Sequence, residues 1–191
     1  GHVGPNLGFL EATIALHYVF DAPTDRIVYD VSHQTYVHKM LTGRIEAFLD
    51  PEKYDDVTGY TNPKESPYDL FSVGHTSTSV SLASGLAKAR DLRHEHYNVV
   101  AVIGDGSLTG GEAFEGLDFA SMAGTNFIVI VNDNQMSIAP DHTALSENLT
   151  ALRLSDGKAQ DNYFKALGYK YIYVKRGNNL EDLIEAFRSV K

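Results

Sequence analysis

Apolar residues recur along the chain with two periods. Leu7, Leu10, Ile14 and His17 fall at helical spacing between Asn6 and Phe20, with Leu16 and Phe20 beside them. Arg26 to Val31 is short and β-branched and reads as a strand, and His33 to Leu41 as a helix ending at Gly43. Arg44 to Tyr68 is a long excursion rich in Pro and Asp. Ser77 to Glu95 predicts a helix rich in Ala, Ser and Gly, slim enough to lie close against another backbone. Asn98 to Ile103 and Asn126 to Val131 are apolar runs bounded by turn signals, which fits strands buried on both faces, and Gly111 to Ala123 between them predicts a helix. Further on, Asp161 to Leu167 predicts a short helix stopped at Gly168, and Tyr169 to Val174 a strand whose tyrosines serve core packing. Asn179 to Lys191 predicts a last helix with a capping box between Asn179 and Asp182.

Strands separated by helices, with the central strands apolar throughout, imply parallel βαβ units. The fold class is therefore α/β, a doubly wound, mainly parallel sheet with helices on both faces. In such sheets a ligand sits outside the carboxyl ends of the strands, where strand order reverses, so the strand tails are the places to read. Three tails stand out: Asp30 to Gln34, Gly104 to Ser107, and Asn132 to Ser137.

Composition narrows the partners. The 191 residues, 43% hydrophobic, fit one soluble domain over 1–191, long enough to bury roughly 70% of its unfolded surface without staples. With no cysteine, disulfides, thiolate metal sites and cysteine nucleophiles drop out. The 25 acidic and 16 basic side chains give a net charge of −9 with no Lys/Arg block, which argues against nucleic acid and anionic membrane surfaces and leaves small molecules as partners. The longest apolar runs, such as Phe127 to Val131, fall far short of the ~20 residues of a membrane span, and no signal peptide is visible, so a cytoplasmic location is expected.

Gly104, Gly106 and Gly110 give G-x-G-x-x-x-G after a strand and before a helix, a place where backbone N–H groups favour an anion. The intervening Asp105 would repel a pyrophosphate unless a cation lay between them. That carboxylate disfavours a nicotinamide dehydrogenase and asks for a metal. Asn132 and Asn134, with the carbonyl of Met136, follow the neighbouring strand and supply the hard oxygens that Mg²⁺ prefers. Either motif alone is more often a simple turn. Together, one βα unit apart, they point to a metal–diphosphate site.

G-D-G followed about thirty residues later by N-D-N resembles the thiamine diphosphate fingerprint. The stretches 1–8, 30–44 and 72–81 narrow the resemblance to the 1-deoxy-D-xylulose-5-phosphate synthases, relatives of transketolase, closely up to about Ser137 and more loosely from Tyr163 to Lys191. The resemblance implies a transferase that condenses pyruvate with a phosphorylated aldose, glyceraldehyde 3-phosphate, and releases CO₂, serving isoprenoid and thiamine biosynthesis. It implies that Asp105, Asn134 and the Met136 carbonyl ligate Mg²⁺ and that Gly106 and Ser107 contact the diphosphate. His33 and the turn Gly74-His75-Thr76 line the cofactor cleft on the same grounds, and His2 faces the reacting carbons, with His2 and His33 as the proton-handling pair. The other histidines, His17, His38, His94, His96 and His142, are read as surface or capping residues.

The family also has a pyrimidine-binding domain whose glutamate activates the cofactor. No Glu here matches it, so pyrimidine-binding and C-terminal domains are expected to lie outside this chain, supplied in cis or in trans, with assembly as a homodimer. Between Ser137 and Asp161 the chain reads as shorter than the family's equivalent. The alternatives are a non-catalytic cofactor-binding subunit or fragment, and a transketolase-like paralogue with another acceptor.

Overall fold

The computed structural model describes residues 2–134, 136–137, 139–140 and 143–191. Gly1, Gln135 of the third strand tail and His142 lie outside the described residues. The chain opens with α1 (Val3–Gly8) and α2 (Leu10–Val19), enters β1 (Arg26–Tyr29), and continues through α3 (Tyr36–Lys39) and α4 (Glu46–Leu49). After the excursion come α5 (Ser79–Leu92), β2 (Val99–Gly104), α6 (Asp105–Leu108), α7 (Gly111–Met122) and β3 (Ile128–Asn132). A two-residue pair, β4 (Met136–Ser137) and β5 (Ala139–Pro140), precedes α8 (Ala144–Leu154), α9 (Tyr163–Ala166) and α10 (Leu180–Val190).

The strands β1, β2 and β3 form a parallel sheet in that order. In β2, Val99, Ala101 and Ile103 join one core cluster, and Val100 and Val102 the other, as the pleat requires. Helices α5 and α7, with α8 and α9, cover the first face through Val80, Ala83, Ala87, Ala113, Leu117, Leu149, Leu152 and Phe164. Helices α2 and α10 cover the second through Ala12, Ala15, Leu16, Val19, Leu183 and Phe187. Helices thus lie on both faces, as the pattern predicts. The order β1-β2-β3 runs without reversal among the described residues, and the helices of the two crossovers, α5 and α7, pack on one face, as connections of one hand stepping the same way require. The other face is left for the two ends of the chain. Among the described residues no helix is long and apolar enough to cross a membrane.

The small residues of α5 serve the close approach expected of them. A Cβ on Gly116 of α7 would lie 2.7 Å from the Ser81 hydroxyl and 2.9 Å from the Ser81 backbone nitrogen. Backbone cannot yield as a side-chain tip can. Gly116→Ala should therefore cost about 1–3 kcal/mol as the helices are wedged apart, read as a lowered urea midpoint with unchanged slope.

Tyr169 to Val174 differs from its reading. Among the described residues the segment belongs to no ladder. Alternation specifies which way side chains face, not that a neighbouring backbone is in reach. Here Tyr171 stacks on Phe164, and the Tyr169 hydroxyl donates to the Leu117 carbonyl at 2.7 Å, so ring packing and local hydrogen bonds hold the segment. The short helix before it does end as read, with Gly168 at φ +84°. The capping box is half formed, because Asn179 Oδ1 accepts from the Asp182 N–H at 3.0 Å while the Asp182 carboxylate turns to Arg176. Helix α8 was not anticipated, although Leu145, Leu149 and Leu152 repeat at helical spacing and are buried.

Candidate functional site

The pairing of β2 with β3 matches Gly104 to Asn132, the last residues of both strands. The tails beyond them start side by side, about 4.8 Å apart in a parallel sheet. Asp105 opens the single turn α6, which buried Leu108 anchors and which packs against β3 and β4. The elements carrying Asp105, Gly106, Ser107, Asn134 and Met136 are therefore brought to one edge. Asp105 is 4% exposed and its Oδ1 accepts the Gly106 N–H at 3.0 Å.

The β1 tail joins the same edge. The Asp30 N–H donates to Val102 and extends the ladder, while its carboxylate accepts the N–H groups of Ser77 at 2.8 Å and Ser79 at 2.9 Å, where α5 begins. Val31, Ser32 and Ser77 all have positive φ, at 55°, 70° and 72°, a costly conformation that persists only when neighbours enforce it. Those neighbours are visible. Val31 donates to the His75 carbonyl at 3.3 Å, the Ser32 hydroxyl to Val73 at 3.1 Å, and the Ser77 hydroxyl to Ser107 of α6 at 2.6 Å. Gly74, His75 and Thr76 are exposed on this loop.

His2 and His33 meet, with ring centroids 5.3 Å apart in an edge-on contact, and Tyr60 lies 5.9 Å from His2. Buried Asn6 holds both backbones, donating from Nδ2 to the His2 carbonyl at 2.7 Å and the His33 carbonyl at 2.8 Å, while its Oδ1 accepts from Tyr36. Burial first, and then the neighbouring His2, push the His33 imidazole below its ordinary value, against the pull of Asp30. Asn6 escaped the sequence reading because nothing in a lone amide on a helix announces a bridge to residues 27 and 30 positions away.

His17 and His38 do not have the surface or capping role read for them. His38 is 1% exposed and hydrogen-bonded to His17 at 2.9 Å and to Asp69 at 3.0 Å. Arg44 grips Asp69 with both terminal nitrogens at 2.7 and 2.8 Å, and Lys39, fully buried, donates to Glu65 at 2.6 Å. This network straps the excursion to α2 and α3, and its partners are too far apart in sequence for any local pattern to reveal. His94 and His96 are exposed, as read.

Burial, and next His38, lower His17 from 6.5 to about 4. Between those values the unfolded chain binds a proton that the folded chain refuses, so stability present above pH 6.5 is lost as pH falls towards 4. Urea midpoints should drop between pH 7 and pH 4.5, and His17→Gln should flatten that slope.

Among the described residues there is no group of three or more His, Asp or Glu arranged to hold a metal ion. A cation at the strand tails would rest on one carboxylate with amide and carbonyl oxygens, a donor set that suits Mg²⁺. The His33 Nδ1 is buried with no hydrogen-bond partner among the described residues, a polar atom left for a ligand. Asp105, Asn134 and the Met136 carbonyl, on tails that leave paired strand ends, and the buried His33 Nδ1 fit a metal–diphosphate group in donor chemistry.

Comparison with known proteins shows the family. The family model described as 1-deoxy-D-xylulose-5-phosphate synthase matches residues 1–160. A 1-deoxy-D-xylulose-5-phosphate synthase of Listeria monocytogenes is 45% identical over 190 residues, covering 96% of this chain and 31% of that protein. Those of Symbiobacterium thermophilum and Carboxydothermus hydrogenoformans are 55% identical over 153 residues (80% of this chain, 24% of the relative) and 43% identical over 227 residues (100% and 36%). The chain spans between 24% and 36% of the length of these relatives. The 227 aligned positions exceed the 191 residues here, so the Carboxydothermus protein carries a segment that this chain lacks.

Proposed function

Because the chain belongs to the 1-deoxy-D-xylulose-5-phosphate synthase family, we propose that it is the diphosphate-binding domain of a transferase that condenses pyruvate with glyceraldehyde 3-phosphate and releases CO₂. The observation that carries this reading is the Gly104–Asn132 register, which sets the Asp105 and Asn134 tails side by side. Asp105, Asn134 and the Met136 carbonyl hold Mg²⁺. The Gly106 and Ser107 backbone receives the diphosphate at the start of α6, and Gly74, His75, Thr76 and His33 line the cleft. Bound thiamine diphosphate supplies the electron sink for breaking the carbon–carboxylate bond of pyruvate.

His33 is held neutral near pH 7, so it can accept a proton, and His2 against its edge can pass one on or polarise the substrate oxygen. A pyrimidine-binding domain, in cis or in trans, completes the cleft, and the assembled enzyme is a cytoplasmic homodimer.

Calorimetric titration tests the reading. Thiamine diphosphate should bind the chain with Mg²⁺ and fail to bind in EDTA, while NAD gives no heat in either buffer. Binding that ignores the metal, or NAD binding, overturns it.

A further inference from the structure

One carboxylate at the strand tails has no role in that reading. Asp133 stands between Asn132 and Asn134 and, like Asp105, is the first residue beyond the paired strand ends Gly104 and Asn132. Arg153 of α8 donates from Nη1 to the Asp133 carboxylate, a contact about one-fifth exposed on both sides. The guanidinium is itself set in place, because its other terminal nitrogen donates to the Thr150 hydroxyl at 2.8 Å, and that hydroxyl donates to the Ser146 carbonyl at 2.8 Å. Leu149 and Leu152, on either side of Thr150, are buried in the core and fix the helix against the sheet.

We infer that Arg153 is a positioning residue that sets the charge of the metal site by drawing Asp133 toward α8. The inference rests on the proposed function. An Mg²⁺ held by Asp105 and a neutral amide keeps one net positive charge for a diphosphate. An Mg²⁺ held by both Asp105 and Asp133 keeps none. A free Asp133 would therefore favour the bare cation and disfavour the anionic cofactor. Arg153 prevents this by occupying that carboxylate.

The two effects diverge, which separates them from simple damage to the fold. In Arg153→Met, Mn²⁺ binding followed by electron paramagnetic resonance without cofactor should be unchanged or a few-fold tighter, whereas thiamine diphosphate binding with Mg²⁺ should weaken about tenfold. Adding Asp133→Asn to Arg153→Met should return cofactor affinity to within about threefold of the parent. Equal weakening of Mn²⁺ and cofactor, no change in either, or no recovery in the double variant overturns the inference. A parent chain that binds the cofactor without metal overturns the proposed function beneath it, and is seen before any variant is made.

Discussion

Replacing Asp69 by alanine should remove about 3–5 kcal/mol of stability, the cost of leaving buried charges without their counter-ion. Asp69 is 2% exposed and takes both terminal nitrogens of Arg44, the His38 ring and the Asn62 N–H. Without it, buried Lys39 and Arg44 would face Glu65 alone. Urea unfolding of Asp69→Ala reads the loss directly, and a loss below about 1 kcal/mol would show that water or Glu65 takes over the cations. The same residue fixes a second acid window. Burial raises its carboxyl, but hydrogen bonds from Arg44, His38 and Asn62 outweigh that and hold it well below the usual carboxylate range. Its contribution is complete above 3.8 and is lost as pH falls below it, separate from the His17 window above.

Asp30→Ala should cost about 2–5 kcal/mol, since each buried N–H stripped of a charged acceptor costs on the order of 1–3 kcal/mol. The side chain is one of the least exposed in the protein, at 1%, and serves the Ser77 and Ser79 N–H groups at once. Amide exchange gives the sharper test. Ser77 and Ser79 should lose protection far beyond the rest of α5, and Asp30→Asn, which keeps one acceptor, should restore part of it. Uniform loss across the helix would contradict a local clamp. Because Ser77 is also tied to Ser107, the variant should weaken metal-dependent cofactor binding as well.

What was legible in the sequence was what local pattern encodes. The apolar run 98–103 holds β2, buried on both faces as read, whereas 126–131 gives β3, a strand only half-buried because it stands at the edge of the described sheet, and Asp105 between glycines is read correctly as a residue at a strand end. His2 and His33 were named by resemblance, and the structure brings their rings together. What was not legible depends on tertiary closure. His38 looks like any histidine on a short helix until Asp69, 31 residues later, folds back onto it. Asp30 reads only as the start of a strand tail until the start of α5 supplies two donors. Tyr169 to Val174 shows the converse error, a periodic signal satisfied by ring packing and single hydrogen bonds rather than by a strand ladder among the described residues.

Helix α2 is made well before α10, yet its apolar side is covered by α10, with Lys191 donating to the Val19 carbonyl at 2.6 Å and Asn178 to Glu11 at 3.2 Å. On the ribosome, Ala12, Leu16 and Val19 stay bare until α10, about 160 residues further along, has left the exit tunnel. A stall between the two helices should therefore yield an aggregating product that a ribosome-bound chaperone would have to shelter.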